Sequence, residues 1–449
     1  MSDLLSIGKS GVLAYQNALA GISENVVNAN NEGFARRQVT MKEQAGDSGT
    51  MFLYRTSSAF NGVQAAEVTR VWDQYRAQKA WSSNSDSSQA STRSQWYGTV
   101  ESTLDDGDSG VGVKLTTIFT SAAALAANPT DGTLRQSFLY ALQDVAGAIN
   151  NTAASLTKVG GTVASQARDA VSQVNEALTA LARVNVSLKT AAQGTTGRAA
   201  LEDQRDTIIG TISDKIGIDL SFDSYGAATV RMNNSGGPVL LDGSNVIPAQ
   251  LGLQVASTGQ LSMTITSDGT TSAVSPTSGK LAGFAEAANQ ITGRRQQLDT
   301  LAANLVQQIN GWNAQGTDIN GNPGAALMSG TDAASLTLSV TDTDLVAAAD
   351  STGPNGNLLA LSDLRDANGP EAAWHAIVND QALRVQSAQT QATGAASAKD
   401  AAYSDLDDVS GVDLDNEAAD LMRFQQAYSA SAKIIQTARE TLQAVLDLF

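Results

Sequence analysis

Apolar residues in the last forty positions of the chain recur at alternating steps of four and three, the heptad spacing of a helix that packs along one stripe. The large members of this C-terminal stripe are Leu414, Leu421, Tyr428, Ile435, Leu442 and Leu446. Only Gln425 and Arg439 interrupt it, and neither Pro nor Gly follows Gly411. Asp413 offers a side-chain oxygen to cap the helix start. The pattern predicts one helix of ~35 residues, roughly 50 Å long.

The first thirty residues repeat this three-four spacing. The large members of the N-terminal stripe are Leu5, Val12, Tyr15, Leu19, Ile22 and Val26. Gly8, Gly11 and Gly21 each weaken the helix by up to ~1 kcal/mol relative to Ala, so we do not expect it to be stable alone. We predict that the two terminal helices pair as a coiled coil whose remaining surface packs against other subunits. The alternative is two ordinary amphipathic helices of a globular core.

The region between these helices predicts a mainly α-helical chain with a small β insert. Residues 217–279 are rich in Thr, Val, Ser and Gly and contain short alternating runs typical of strands, whereas Ala-rich helical stripes lie on both sides. A length of 449 residues suggests two or three domains. We expect three nested ones: a terminal helical domain (1–33 and 410–449), a mainly helical domain with short strands (34–216 and 280–409) and an inserted β domain (217–279).

A long helix is predicted from Val71 to Leu104, with aromatic residues near both of its ends. Its middle, from Ser82 to Ser94, consists almost entirely of polar and small residues. We therefore expect this middle segment to be largely exposed to solvent.

Composition excludes several classes of function. The formal net charge of −17 disfavours nucleic acids and anionic membranes as partners. No run approaches the ~20 apolar residues of a membrane span, and the N-terminus lacks the pattern of a secretory signal peptide. The chain has no cysteine, so disulfides and thiol chemistry are excluded.

No set of residues predicts catalysis, a cofactor or a metal. The single histidine, His375, has neither a cysteine nor a second histidine to build a relay or a zinc site, so we interpret it as structural. The segment from Asp318 to Pro323 resembles the start of a calcium loop. Pro323 stands where such a loop needs glycine, and Ser329 stands where it needs glutamate. We interpret this segment as a turn.

The segment after the N-terminal helix carries a recognisable motif. Asn28, Gly33, Phe34 and Arg36 resemble the motif shared by flagellar rod, hook and hook-associated proteins. Asn31-Glu32 and Phe34 stand where that group of proteins usually has Thr-Pro, or a similar pair, and Tyr. This motif fits hook and rod subunits as well as hook-associated proteins.

Two further segments narrow the resemblance. Residues 410–419 and 425–437 are similar to the C-terminal helix of the FlgK family of hook-associated proteins. The run from Leu201 to Asp206, which contains Asp-Gln-Arg-Asp and precedes a predicted strand at 217–220, is similar to the same family. The long helical middle also favours this family over hook and rod proteins.

The resemblance implies a structural, non-enzymatic subunit of the bacterial flagellum that forms the junction between hook and filament. It implies export in the unfolded state through the flagellar type III channel, followed by polymerisation at the hook tip. The implied partners are further copies of the chain, the hook protein below, the next hook-associated protein above, and a cytoplasmic export chaperone on the C-terminal helix. The alternatives are a hook or rod subunit, or an unrelated secreted acidic enzyme or adhesin.

Overall fold

The structure is a computed structural model that describes residues 2–31, 33–43, 62–104, 107 and 109–447. Its α-helices are α1 (Ser2–Asn28), α2 (Gln74–Thr103), α3 (Val111–Ala127), α4 (Gly132–Thr190), α5 (Thr196–Lys215), α6 (Gly279–Asn313), α7 (Gly356–Ala360), α8 (Pro370–Ser410) and α9 (Leu414–Leu446). Its strands are β1 (Arg37–Glu43), β2 (Val63–Arg70), β3 (Ile218–Phe222), β4 (Ala228–Met232), β5 (Val239–Leu241), β6 (Gln250–Val255), β7 (Leu261–Ser267), β8 (Thr270–Val274), β9 (Met328–Ser329) and β10 (Thr337–Leu338). The predicted fold class, mainly α with small β elements, is confirmed. None of these helices is long and apolar enough to cross a membrane. Glu32 of the motif lies outside the described residues.

The chain divides into two compact units. The first consists of residues 1–85, 173–250 and 396–449, and it contains both terminal helices. The second consists of residues 86–172 and 251–395. Each unit draws on separate stretches of the sequence.

In the first unit, the terminal helices α1 and α9 run antiparallel. Gly8 lies against Ile435, whereas Tyr15 lies further along α1 and contacts Phe424, which lies earlier on α9. The Asp413 carboxylate caps α9 by accepting hydrogen bonds from two backbone N–H groups of its first turn, at 2.9 and 3.2 Å. The predicted helices at both chain ends, and their pairing, are confirmed.

Small antiparallel sheets accompany the helices. β1 and β2 form a two-stranded sheet with an irregularity between Thr40 and Met41. The strands within 217–279 form two three-stranded sheets, β3-β4-β5 and β6-β7-β8. The first of these sheets belongs to the first unit, and nearly all of the second belongs to the second unit.

The second unit has a core of large apolar side chains. Phe138 of α4 and Trp312 of α6 meet edge to face, with ring centroids 5.7 Å apart. Side chains in this unit with less than 2 % of their surface exposed include Leu115, Ile118, Leu125, Phe138, Leu139, Leu142, Ile149, Leu156 and Trp374. Burial of each such side chain contributes about 1.5–3 kcal/mol, so this unit has a core of its own.

The expectation that the middle of α2 is solvated is wrong. Ser83, Asn84 and Ser85 are buried in the first unit, where Asn84 Nδ2 donates to Ser213 Oγ at 3.1 Å. In the second unit, Thr92 is buried against Gly283 of α6, so closely that a Cβ on Gly283 would lie 2.8 Å from the Thr92 Cβ. Small polar side chains allow a close helix approach, and hydrogen bonds satisfy their polar atoms.

Candidate assembly surface

The contact between α1 and α9 is built from small residues. Gly8, Gly11, Ala14 and Ala18 of α1 are buried, as are Ser431 and Ala438 of α9, whereas the buried Gly21 lies against Val39 of β1. A Cβ on Gly8 would lie 2.7 Å from Ile435 Cγ1, and one on Gly11 would lie 2.6 Å from Ser431 Oγ. Interpreting these glycines only as a cost to the helix was therefore incomplete, because two of them allow α9 to come close.

The predicted interface residues lie mostly beside this contact. Of the predicted residues on α1, Ile22 is buried, Val12, Tyr15 and Leu19 are half-buried, and Leu5 and Val26 are exposed. Of those on α9, Leu421 and Ile435 are half-buried, and Leu414, Tyr428, Leu442 and Leu446 are exposed. The pairing of the helices therefore leaves an apolar surface open along both of them.

Further exposed apolar residues, which the spacing did not single out, enlarge this surface. They are Leu4, Leu13 and Val27 on α1 and Met422, Ile434 and Val445 on α9. A groove of about 420 Å³ runs between Leu4 and the α9 segment from Lys433 to Thr441. The sequence did contain a signal for this larger surface, namely the apolar residues outside the heptad stripe. A helix that makes contacts on two faces has more apolar residues than a single stripe contains.

The motif residues after α1 each contact a different neighbour. Asn28 ends α1: its Nδ2 donates to the Glu24 carbonyl, and its own carbonyl accepts from Asn31 N–H, both at 2.9 Å. Gly33 has φ +82°, and a Cβ there would lie 2.7 Å from Thr207 Oγ1 of α5. Only glycine fits both the backbone angle and the space without strain.

Phe34 and Arg36 complete the motif loop. The Phe34 ring lies 4.7 Å from the guanidinium carbon of Arg37. Arg36 Nε donates to Glu417 Oε1 of α9 at 2.8 Å, and its backbone N–H donates to the Ser410 carbonyl of α8 at 2.8 Å. The motif loop therefore joins the two ends of the chain.

A buried ionic cluster anchors this loop to α5. The Arg37 guanidinium, with 1 % of its side chain exposed, donates to the Asp203 carboxylate. Arg70 of β2 donates to Asp206 at 2.7 Å, and its Nε lies 2.8 Å from Asp203 Oδ1 without the alignment of a hydrogen bond. Arg205 pairs with Asp206 at 2.7 Å. Removing one member of such a buried pair costs about 3–5 kcal/mol, because the other charge is left unpaired.

Sequence reasoning noted the Asp-Gln-Arg-Asp segment only as a resemblance and missed its partners. Asn25 of α1 was missed as well, although it contacts Arg37 rather than this segment: its side chain exchanges two hydrogen bonds with the backbone of Arg37, at 2.8 and 2.9 Å. The buried position of the arginines Arg37 and Arg70 was missed too. Arg37 and Asp203 are 166 positions apart, and no local spacing pattern connects them.

The remaining candidate residues have no visible part in this surface. The backbone N–H of Asn322 donates to the Asp318 carboxylate, and this hydrogen bond is the main reason why the pKa of Asp318 is below its ordinary value. Asp318 therefore binds within its own turn. The residues that the structure describes contain no group of three or more His, Cys, Asp or Glu able to hold a metal. His375, which we interpreted as structural, is exposed on α8.

Comparison with known families decides what kind of protein carries this surface. The model described as the flagellar hook-associated protein FlgK helical domain matches residues 97–328, more than half of the chain. The chain belongs to this family. The model described as the flagellar basal body rod FlgEFG protein C-terminal matches residues 408–448, which contain α9.

Full-length relatives agree with this assignment. The chain is 24% identical over 513 residues to flagellar hook-associated protein 1 of Bacillus subtilis (strain 168), covering 99% of this chain and 97% of the relative. It is 23% identical over 561 residues to the protein of the same name in Salmonella typhimurium, covering all of both chains. These alignments are longer than the 449 residues of this chain, so the relatives carry residues that it lacks.

One solved structure shares the fold. The flagellar hook junction protein FlgK from Burkholderia pseudomallei superposes with a TM-score of 0.51 and 25% sequence identity. The match covers 56% of this chain and 46% of that one, so this chain accounts for about half the length of the solved relative.

Proposed function

We propose that this FlgK-family chain is a structural subunit of the bacterial flagellum that forms the junction between hook and filament. The observation that carries the proposal is the apolar surface left open along the paired helices α1 and α9, in a family of hook-associated proteins. A row of exposed large apolar side chains along a helix pair is typical of a contact with other proteins. The function proposed is assembly, and it calls for no catalytic group.

The predicted interface residues of α1 and α9 would contact further copies of the chain in a ring or helical polymer. The hook protein would lie below this polymer and the next hook-associated protein above it. The terminal helices would act as the axial domain (1–33 and 410–449), and residues 34–216 and 280–409, with the β insert at 217–279, would lie outside. The acidic charge of the chain supports protein partners over nucleic acids or membranes.

A second candidate is another flagellar axial protein, namely a hook or rod subunit. The match of residues 408–448 to the rod-protein model favours it. The FlgK helical-domain match over residues 97–328 supports the junction role instead.

We also propose that the chain is exported unfolded from the cytoplasm and ends outside the cell in the flagellum. The exposed apolar residues of α9, including Leu442 and Leu446, are an aggregation hazard before assembly. A small helical export chaperone would cover them. Deleting residues 410–449 should abolish co-purification of such a chaperone, and undiminished binding by the truncated chain would contradict this role of α9.

The assembly role is tested by Ile435→Asp, which places a charge against Gly8 in the helix pair. We expect the variant to leave the second unit folded, because that unit has its own core. Cells should lose their filaments, release flagellin into the medium and carry bare hooks. Electron microscopy of the hooks and thermal melting of the purified variant measure both effects.

His375→Gln is the matched control, because His375 is exposed and lies in the second unit. It should change neither filament attachment nor melting. Normal filaments on Ile435→Asp cells would contradict the proposed assembly role. Filament loss through His375→Gln would show that an unassigned residue of α8 takes part in it.

A further inference from the structure

Arg36 makes polar contacts with three separate segments of the first unit. Its backbone N–H donates to the carbonyl of Ser410, the last residue of α8, at 2.8 Å. Its carbonyl accepts from Val71 N–H at 2.9 Å. Its guanidinium Nε donates to Glu417 Oε1 at 2.8 Å. One residue therefore contacts both sides of the short connection between α8 and α9.

Glu417 is the buried half of this contact. Its side chain is 2 % exposed, whereas that of Arg36 is 33 % exposed. Glu417 lies in the first turn of α9, where the helix dipole favours a negative charge. A buried carboxylate is costly without a partner, so the geometry in which Glu417 meets Arg36 is strongly preferred.

This ion pair lies near the start of α9, so a small change in the direction of the helix there moves residues further along it by several ångström. Ser431, which touches Gly11, lies fourteen residues beyond Glu417, roughly 21 Å along the helix at 1.5 Å per residue. A swing of α9 by about 10° at Glu417 would move Ser431 by roughly 4 Å at this helical rise. The contact at Gly8 and Gly11 depends on close approach, so a displacement of this size would open it.

We propose that Arg36 and Glu417 are positioning residues that fix the direction of α9 against α1. They act through the small-residue contact further along the helices and thereby keep the apolar assembly surface in one arrangement. This proposal rests on the proposed function only for its consequence in the cell. The direction of α9 is a property of the single chain and is measured without any partner.

The test uses the absence of cysteine to place two spin labels, at Lys9 of α1 and Lys433 of α9, both exposed. Double electron–electron resonance spectroscopy on the full chain measures the distribution of distances between the two spin labels. We expect one narrow distribution with Arg36 and Glu417 in place. Arg36→Glu and Glu417→Arg should each broaden it or shift it by several ångström, and the double variant Arg36→Glu/Glu417→Arg should restore it.

Glu417→Gln is needed in case a buried arginine at this position disrupts packing. The amide keeps the shape and the Oε1 acceptor, loses the negative charge and replaces the second oxygen with an NH2 group. It should broaden the distribution less than Glu417→Arg does. A distribution that is broad in the unaltered sequence, unchanged by the single variants or unrestored by the double variant would each overturn the proposal. The junction role is tested separately, by Ile435→Asp in cells. The positioning role of Arg36 and Glu417 can therefore be rejected without rejecting the junction role, and the reverse also holds.

Discussion

The helix pair α1–α9 and the helical core of the second unit use apolar residues in opposite ways. In the core, large side chains such as Phe138, Leu142 and Trp374 are almost fully buried. In the pair, Gly8 and Gly11 allow Ile435 and Ser431 to come close, whereas leucines such as Leu442 and Leu446 are exposed. The core gains its hydrophobic free energy within one chain. The pair leaves apolar side chains exposed, and under the proposed function they would gain that free energy from neighbouring subunits.

The largest effect on stability should come from the core. Leu142→Ala removes a fully buried side chain of α4 and should lower the free energy of unfolding of the second unit by about 2–5 kcal/mol. Chemical denaturation measures this cost. Val113→Ala is the control, because Val113 is exposed on α3 and its truncation should cost less than about 0.5 kcal/mol. Equal costs at the two positions would contradict the contrast between core and surface.

The next largest effect is expected from Gly→Ala substitutions, whose sign should depend on whether another residue lies close to the glycine. Gly8→Ala should reduce protection of α1 and α9 from amide exchange about tenfold, equivalent to ~1.4 kcal/mol, because its Cβ would meet Ile435. Gly147→Ala on α4 should stabilise its helix by up to ~1 kcal/mol, because its Cβ would meet no described atom within 4 Å. Equal stabilisation by both changes would show that Gly8 is not a contact residue.

A smaller effect on the melting temperature is expected from Asp380, an acidic residue of the second unit. A hydrogen bond from Arg384, followed by one from Arg294, lowers the pKa of Asp380 below its ordinary 3.8. A carboxylate with a lowered folded-state pKa stabilises the fold at neutral pH, and this contribution is lost as the pH falls through that pKa. Asp380→Asn should therefore melt slightly lower at pH 7, and the difference should shrink as the pH falls below the ordinary 3.8 and vanish only below the lowered folded-state pKa. A melting difference that persists at low pH would contradict this assignment.

The smallest effect on the free chain should come from the exposed face of α9. Leu442→Ser should change subunit stability by less than about 0.5 kcal/mol, because Leu442 is half exposed. It should nevertheless reduce filament attachment, counted by electron microscopy. Ala444→Ser, an exposed neighbour on α9, is the control and should leave attachment unchanged. Full attachment with Leu442→Ser would remove this residue from the assembly surface.

The elements were predictable because local spacing encodes them. The stripes from Leu5 to Val26 and from Leu414 to Leu446 predicted α1 and α9, since helical periodicity is a property of neighbouring residues. The contact face was not predictable, because Gly8 and Gly11 reveal a close approach only when Ile435 and Ser431 are known to lie opposite.

The burial of the α2 interior and the ionic cluster were not predicted from the sequence, for a related reason. Residues such as Ser83 and Asn84 have the composition of a solvated helix, and only partners such as Ser213 make their burial possible. Arg37 and Asp203 likewise meet across a long stretch of sequence. Partners of this kind are set by tertiary structure, which spacing does not encode.

The central claim is that α1 and α9 of one chain form a close antiparallel pair, and a disulfide tests it most directly. A Cβ on Gly11 would lie 3.1 Å from Ser431 Cβ, close to the ~3.5–4.5 Å span of a disulfide. Oxidised Gly11→Cys/Ser431→Cys should therefore form an intramolecular bond, seen as a faster band on a non-reducing gel. The control Gly11→Cys/Leu446→Cys, with the second cysteine roughly 22 Å further along α9, should not. A Gly11→Cys/Ser431→Cys chain that stays reduced, or that links only to other chains, would contradict the account.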